Sequence, residues 1–352
     1  MLLLGMSVRV GIVGMGYWGP NLARNLATLE GCELAWCCEL DESSRSRWSS
    51  AYPQTRFTSD LDDLLGDPDL DAVVIATPSS SHAPIALRAL EAGKNCFVEK
   101  PLAQDSESAL GLVEAAEQRG LVLMVGHLLC YHPGVRQLAD LIARGELGQV
   151  RYFHSQRLNL GKIRADENAL WSLGAHDVSV LLELADGKPA EVSARGEAFM
   201  REGVEDVVFG HIRFDTGLIA HLHLSWLDPH KVRRITVVGS ARMATLDDMA
   251  LERKLTVWDN SFESIAESYG EYITRSGSVH SPMVLNTEPL RLECTHFIEC
   301  LRTQQRPHTD GVAGLEVVRV LEALQASLDA GGAPLPVSSG PSALSRPVGA
   351  GQ

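Results

Sequence analysis

No stretch of this sequence stays apolar for the length of a bilayer crossing, and the opening MLLLG is too short for a signal peptide. Met6, at the head of MSVRVGIVGMG, reads as an alternative start. No CxxC pair occurs. The 7 cysteines (Cys32, Cys37, Cys38, Cys96, Cys130, Cys294 and Cys300) are odd in number, and several lie in apolar runs. Such cysteines behave as small hydrophobes in a reduced compartment, which argues against a disulfide scaffold. Excess positive charge is also missing. With 31 Lys+Arg against 45 Asp+Glu the net charge is −14, which excludes nucleic acid as the main partner. No internal repeat is visible. These absences lead us to expect a cytoplasmic protein, with no membrane partner, that handles small molecules.

What is present is ordinary globular composition, 45% hydrophobic and 22% charged over 352 residues, enough for two domains. The first 130 residues alternate between short apolar runs (8–13, 34–38, 72–76, 96–98, 121–125) and helical patterns (21–29, 83–92, 106–119). Repeated βα units predict an α/β fold with a doubly wound parallel sheet. After residue 148 the pattern becomes strand-like on short connections, at 150–158, 191–199, 207–214, 218–226, 234–239 and 242–246, with a hairpin around Asp215-Thr216-Gly217. Those segments predict an antiparallel or mixed sheet. Helices are expected at 135–143, 177–185, 289–302 and 315–328. The expected domains are 6–130 for dinucleotide binding and 131–336 for substrate binding and oligomerisation. The small, polar 337–352 reads as a disordered tail.

The strongest local signal is VRVGIVGMGYWG at 8–19. Gly14, Gly16 and Gly19 form GxGxxG between a strand and a helix. The first permits a tight turn, the second lets the backbone approach a pyrophosphate, and the third lets helix and strand pack closely. Tyr17 and Trp18 belong to the same cradle. Glu39 stands 20 residues after Gly19, where an acid binds the adenosine ribose, so the cofactor is expected to be NAD rather than NADP; Asp41 is the fallback acid. Thr77, Pro78, Ser79 and His82 follow an apolar strand at the sheet edge where ligands bind, and are cofactor candidates, with His82 equally readable as a helix cap.

Three segments together, the glycine motif, TPSSSHAPIALRALEAGKNCFVEKPLA at 77–103 and GAHDVSVLLEL at 174–184, resemble the Gfo/Idh/MocA oxidoreductases over all but the tail. The resemblance implies a Rossmann domain, a second α/β domain with a large open mixed sheet, and assembly into dimers or tetramers. Within the family, YWGPN at 17–21, RLNLG at 157–161, WSLGAHDVSVLL at 171–182, SWLDPHKVRR at 225–234 and GSARMATLDD at 239–248 resemble enzymes that oxidise the 3-hydroxyl of UDP-N-acetylglucosamine with NAD. Such enzymes pass the ketone to an aminotransferase. By this resemblance Lys100 contacts the nicotinamide ribose and the reacting hydroxyl, Glu99 faces the cofactor, Pro101 follows a cis peptide, and His176 faces the substrate.

Oxidising a secondary alcohol needs a hydride acceptor and a base. Lys100 is the first candidate base and His176 the second. Relatives commonly carry an aspartate four residues before that histidine, where this chain has Ser172. The proton transfer therefore shifts toward Lys100, with His176 assisting. A nucleotide diphosphate needs cations. Arg157, Lys162 and Arg164 are candidates, with Arg233 and Arg234 as alternatives. Asn159, His127 and Tyr131 are candidates for sugar hydroxyls or an N-acetyl group, and Trp171 for stacking. His221 and His223 share a strand face but lack a third ligand at useful spacing, so no metal is expected. Two other readings stay open: a polyol or inositol dehydrogenase, and an NAD(H)-binding regulatory protein.

Overall fold

The structure is a computed structural model that describes residues 7–161, 163, 167–264 and 272–338. Its first layer system is a parallel sheet. In chain order it contains β1 (Val8–Val13), α1 (Gly19–Ala27), β2 (Cys32–Cys38), α2 (Glu42–Ala51), β3 (Arg56–Thr58), α3 (Leu61–Leu65), β4 (Ala72–Ile75), α4 (His82–Glu91), β5 (Asn95–Glu99), α5 (Ser106–Arg119) and β6 (Leu123–Gly126). The strand order is β3-β2-β1-β4-β5-β6 and every pairing is parallel. Order reverses between β1 and β4, which opens a crevice at the carboxyl ends of the strands. β4 is AVVI, buried throughout, as a strand covered on both faces must be. Asp105 caps α5 by accepting from the Ser108 N–H at 2.7 Å, and Gly120 ends that helix at φ 63°.

Three elements of this region escape sequence periodicity. α2 reads ESSRSRWSSA and buries no residue, so it has no apolar stripe to betray it. β3 and α3 are only 3 and 5 residues long.

The second system follows with α6 (Pro133–Ala143), β7 (Val150–Leu160), α7 (Ala175–Leu184), β8 (Pro189–Glu197), β9 (Val207–Phe214), β10 (Ile219–Ser225), β11 (Leu227–Gly239), β12 (Met243–Asp247), β13 (Leu255–Ser264), β14 (Tyr272–His280), α8 (Pro289–Thr303), α9 (Gly311–Asp329) and β15 (Leu335–Pro336). The sheet order is β14-β13-β12-β11-β7-β10-β9-β8-β15, mixed because β7 and β10 run parallel. β13 and β14 were not expected from the sequence. Helices α6, α7 and α9 cover one face. On the other face Tyr152, Phe209 and Ile219 are exposed, and the His154 and His221 rings lie 5.5 Å apart. The tail expectation needs a correction at its start, where the Val337 N–H donates to the Ala190 carbonyl at 3.0 Å; residues 339–352 lie outside the described ones.

The last two helices return to the first sheet. α8 packs Leu290, Phe297 and Ile298 beside Val8, Val10 and Ile12 of β1. α9 faces two cores: Val312, Leu315 and Val318 join the core under α4 and α5, while Val317, Leu321 and Leu324 join the core of the second sheet. Among the described residues no helix is long and apolar enough to cross a membrane.

Candidate active site

The crevice begins at the glycine loop. Gly14 has φ +95°, and a Cβ there would meet the Ala76 carbonyl oxygen at 2.8 Å. A Cβ on Gly19 would fall 2.0 Å from the Gly14 carbonyl oxygen. Gly16 is different: a Cβ there would meet nothing within 4 Å, so the loop leaves open space in front of it. α1 opens with Pro at its first turn and no side-chain cap, leaving backbone N–H groups for an anion. Glu39 closes the far end of the loop, one oxygen accepting from the Met15 N–H at 2.6 Å and the other from the Asp41 N–H at 2.9 Å. Asp41, the fallback acid, is the N-cap of α2, accepting from the Ser44 N–H at 2.7 Å. An open glycine, an uncapped helix and a fixed carboxylate at the end of β2 fit a dinucleotide.

The next loop, at 76–82, meets the EKP turn. Thr77 packs beside Gly14, with its Cγ2 3.0 Å from the position of a Gly14 Cβ. Ser79 Oγ accepts from Gln104 Nε2 at 3.3 Å, and Pro78 is exposed. His82 does not line the crevice as expected. Its Nδ1 lies 2.8 Å from the Pro101 carbonyl and its Nε2 2.9 Å from the Thr77 carbonyl, and the residue is 1% exposed. It ties the two cofactor loops together instead. The Lys100–Pro101 peptide is cis. Tyr17 is exposed at the surface, and the Trp18 side chain lies near enough to Glu99 to favour its charged form.

Glu99 ends β5 with its carboxyl against Gly126 of β6. Burial, only partly offset by Lys100, raises its pKa to about 7. Sequence reasoning missed its neighbour Glu293. That residue sits on α8 with no exposed surface, both oxygens lack a hydrogen-bond partner among the described residues, and burial followed by Glu99 raises its pKa. Its only signal in the sequence is an acid on the apolar face of a helix.

Lys100 crosses from the first domain to the second, its Nζ donating to the Ser172 carbonyl at 3.3 Å. A π-helical turn, Leu170–Gly174, leads into α7 and presents that carbonyl. Ser172 therefore contributes through its main chain. One turn on, burial first and then Lys100 push His176 well below the usual imidazole pKa, with Arg157, His127 and Arg233 adding to the effect. Its Nδ1 is buried without a hydrogen-bond partner among the described residues, and the lowered pKa keeps the ring neutral at pH 7. His127 is also neutral, pushed down to about 3 by burial and Lys100. It is 1% exposed, at the end of β6 next to the Lys100 end of β5.

The cationic side differs from expectation. Arg157 is 8% exposed and forms a bidentate pair with Asp177, whose other neighbour is Ser155 Oγ. Its charge is already balanced. Arg234 is paired with Asp247. Arg233 instead donates to the Leu158 and Val232 carbonyls at 3.1 and 2.9 Å and to Asn159 Oδ1 at 3.2 Å. Burial and then Arg157 lower it to about 10. Lys162 and Arg164 lie outside the described residues. Trp171 is wedged against both domain cores, and Tyr131 is buried with its hydroxyl 3.2 Å from Thr309 Oγ1. Neither presents a free ring to the crevice.

A dinucleotide cradle on a doubly wound sheet, joined to a mixed sheet through a lysine and neutral histidines, defines an NAD-dependent oxidoreductase. Comparison with known proteins agrees. Residues 8–127 match an oxidoreductase family with an NAD-binding Rossmann fold, and 135–245 match the GFO/IDH/MocA C-terminal domain. The chain belongs to the Gfo/Idh/MocA family of NAD-dependent oxidoreductases. This sets aside the regulatory-protein reading. Among its relatives is the UDP-N-acetylglucosamine 3-dehydrogenase of Acidithiobacillus ferrooxidans, 27% identical over 326 residues, covering 92% of this chain and 98% of that protein. A crystal structure of that enzyme superposes with a TM-score of 0.78 over 93% of this chain and 99% of that one, at 26% identity. The NAD complex of GenD2 from gentamicin A biosynthesis gives 0.79 at 25% identity over 96% of this chain and 98% of that one. The scyllo-inositol 2-dehydrogenase (NAD(+)) of Bacillus subtilis is 26% identical over 329 residues, 88% of this chain and 92% of that protein.

Proposed function

We propose that this enzyme oxidises the 3-hydroxyl of a nucleotide sugar of the UDP-N-acetylglucosamine type to a ketone. The observation that carries the chemistry is the meeting of Lys100, His176 and the Ser172 carbonyl where the first domain abuts the second. Bound NAD supplies the hydride acceptor. Lys100 takes the hydroxyl proton, held on its outer side by the carbonyl, and the neutral His176 orients the hydroxyl. Glu39 holds the adenosine ribose, Glu99 the nicotinamide side, and the Gly16 opening the pyrophosphate. Arg233, with Asn159 as its brace, is the cation for the substrate diphosphate, since Arg157 is neutralised by Asp177. We assign substrate binding and self-association to 131–336, with the uncovered sheet face around His221 as the contact between copies in a homodimer or homotetramer. The product ketone suits a downstream aminotransferase.

The test is a screen of UDP-, dTDP- and GDP-sugars, with inositols alongside, for NADH formation. Turnover with a UDP-sugar, and a rise of about tenfold or more in KM for Arg233→Leu, is the expected result. The polyol reading is favoured by one observation, the loss of Arg157 as an available cation. Preference for inositol over every nucleotide sugar would establish it and remove our proposal.

A further inference from the structure

Alcohol oxidation releases one proton for each hydride taken up, and that proton must leave Lys100. His127 is its neighbour, since each follows one of the paired residues Glu99 and Gly126 at the ends of adjacent parallel strands. Neither ring nitrogen of this buried histidine has a hydrogen-bond partner among the described residues, an unusual state for a buried polar group. His127 also lines a cavity of about 20 Å³, together with Ser179, Glu183, His308, Thr309 and Glu316 among others. One water needs roughly 10–15 Å³ and two to four polar partners. The cavity has the volume, and Glu183, His308 and Glu316 bring polar side chains to its wall. Beyond it the side chains become progressively wetter, Glu183 at 16%, His308 at 27% and Arg136 at 50% exposure. They form one cluster, with Glu183 Oε1 3.2 Å from His308 Nε2 and 3.3 Å from Arg136 Nη1.

We infer that His127 relays the reaction's proton from Lys100 through a single water in this cavity to the Glu183–His308 cluster at the surface. The inference rests on the dehydrogenase role of Lys100. The balance is one proton and no electrons, because the hydride departs separately on the nicotinamide. The Lys100 ammonium gives a proton to the bare ring nitrogen of neutral His127. The opposite ring N–H releases its proton to the water, which passes one to the Glu183 carboxylate and so to bulk solvent. The groups facing His127 along this path are Lys100 and His176 on the inner side and Glu183, His308 and Glu316 on the outer side.

Stopped-flow measurement of NADH absorbance alongside a pH-indicator dye tests the path. In the parent enzyme, dye and NADH signals should rise together. In His127→Gln the dye should lag, kcat should fall about 10- to 100-fold with KM unchanged, and free imidazole should restore it. Glu183→Gln, a change that keeps the side chain's size and removes its charge, should delay the dye while leaving NADH affinity intact. Coincident signals and parental kcat in both variants would overturn the relay. A second readout needs no substrate: the His127 ring N–H, followed by nitrogen-15 NMR in the NAD-bound protein, should exchange with bulk water within milliseconds and more slowly in Glu183→Gln. Slow exchange in the parent refutes the path even where every sugar fails to turn over, which separates its failure from that of the proposed activity.

Discussion

At the scale of single residues, the site depends on which charges are already neutralised. Lys100 joins the two domains through the Ser172 carbonyl and acts electrostatically on Glu99 and His176, whereas Arg157 is consumed by Asp177. Lys100→Met should therefore lower kcat by about 10²–10⁴-fold while the NADH dissociation constant, read by fluorescence, changes little. A parallel loss of cofactor affinity would place Lys100 in binding rather than chemistry. This scale also shows the limits of reading a sequence. Glu39 was legible because the dinucleotide motif fixes a distance along the chain. Arg157 was not, since its partner comes from a different element, and a cation in a sequence looks the same paired or free. Tyr131 and Trp171 were misjudged for a related reason: an aromatic near a motif gives no sign of which core it enters.

Among elements, the glycine loop is where geometry separates folding from binding. Gly19→Ala puts a methyl 2.0 Å from a main-chain oxygen, so strand β1 and helix α1 must separate. We expect it to cost about 1–3 kcal/mol of stability and to weaken NAD binding as a consequence. Gly16→Ala meets nothing within 4 Å, so the cofactor-free protein should melt at the parental temperature while NAD affinity falls at least tenfold by calorimetry. Equal melting losses in the two variants would contradict this division. The π-helical turn before α7 is the element least visible beforehand. The sequence shows Ser172 where relatives place an acid, and draws attention to a side chain. The structure uses the carbonyl instead, through a local winding that no hydrophobic period encodes. The strand pattern of the second sheet was easier to read, because every second residue of β9, and of β10 up to Leu224, is buried while the ones between are more exposed.

For the whole molecule, the buried titratable groups on either side of the domain junction set opposing pH limits. His82, His127 and His176 are all held below the ordinary imidazole pKa by burial. The unfolded chain binds their protons below about pH 6.5 while the folded chain does not, so their contribution to stability is lost as pH falls. For His127 the loss runs from 6.5 down toward about 3, with a slope of about 1.4 kcal/mol per pH unit. Glu99 and Glu293 have the opposite sign. Burial raises both, so the folded chain holds protons that the unfolded chain releases above about pH 4.5. Their contribution is present in acid and is lost as pH rises, through about 7 for Glu99. With three histidines against two carboxyls, the acid limb falls gently and the alkaline limb has no histidine to offset it. The urea midpoint of the cofactor-free enzyme should therefore peak near neutrality. Glu293→Met, which swaps a buried carboxyl without a hydrogen-bond partner among the described residues for an apolar chain of similar length, should raise the midpoint, and its advantage should grow as pH rises. His127→Gln should flatten the acid limb instead. A Glu293→Met advantage independent of pH would mean that this carboxyl stays neutral throughout, and that Glu99 alone sets the alkaline limit.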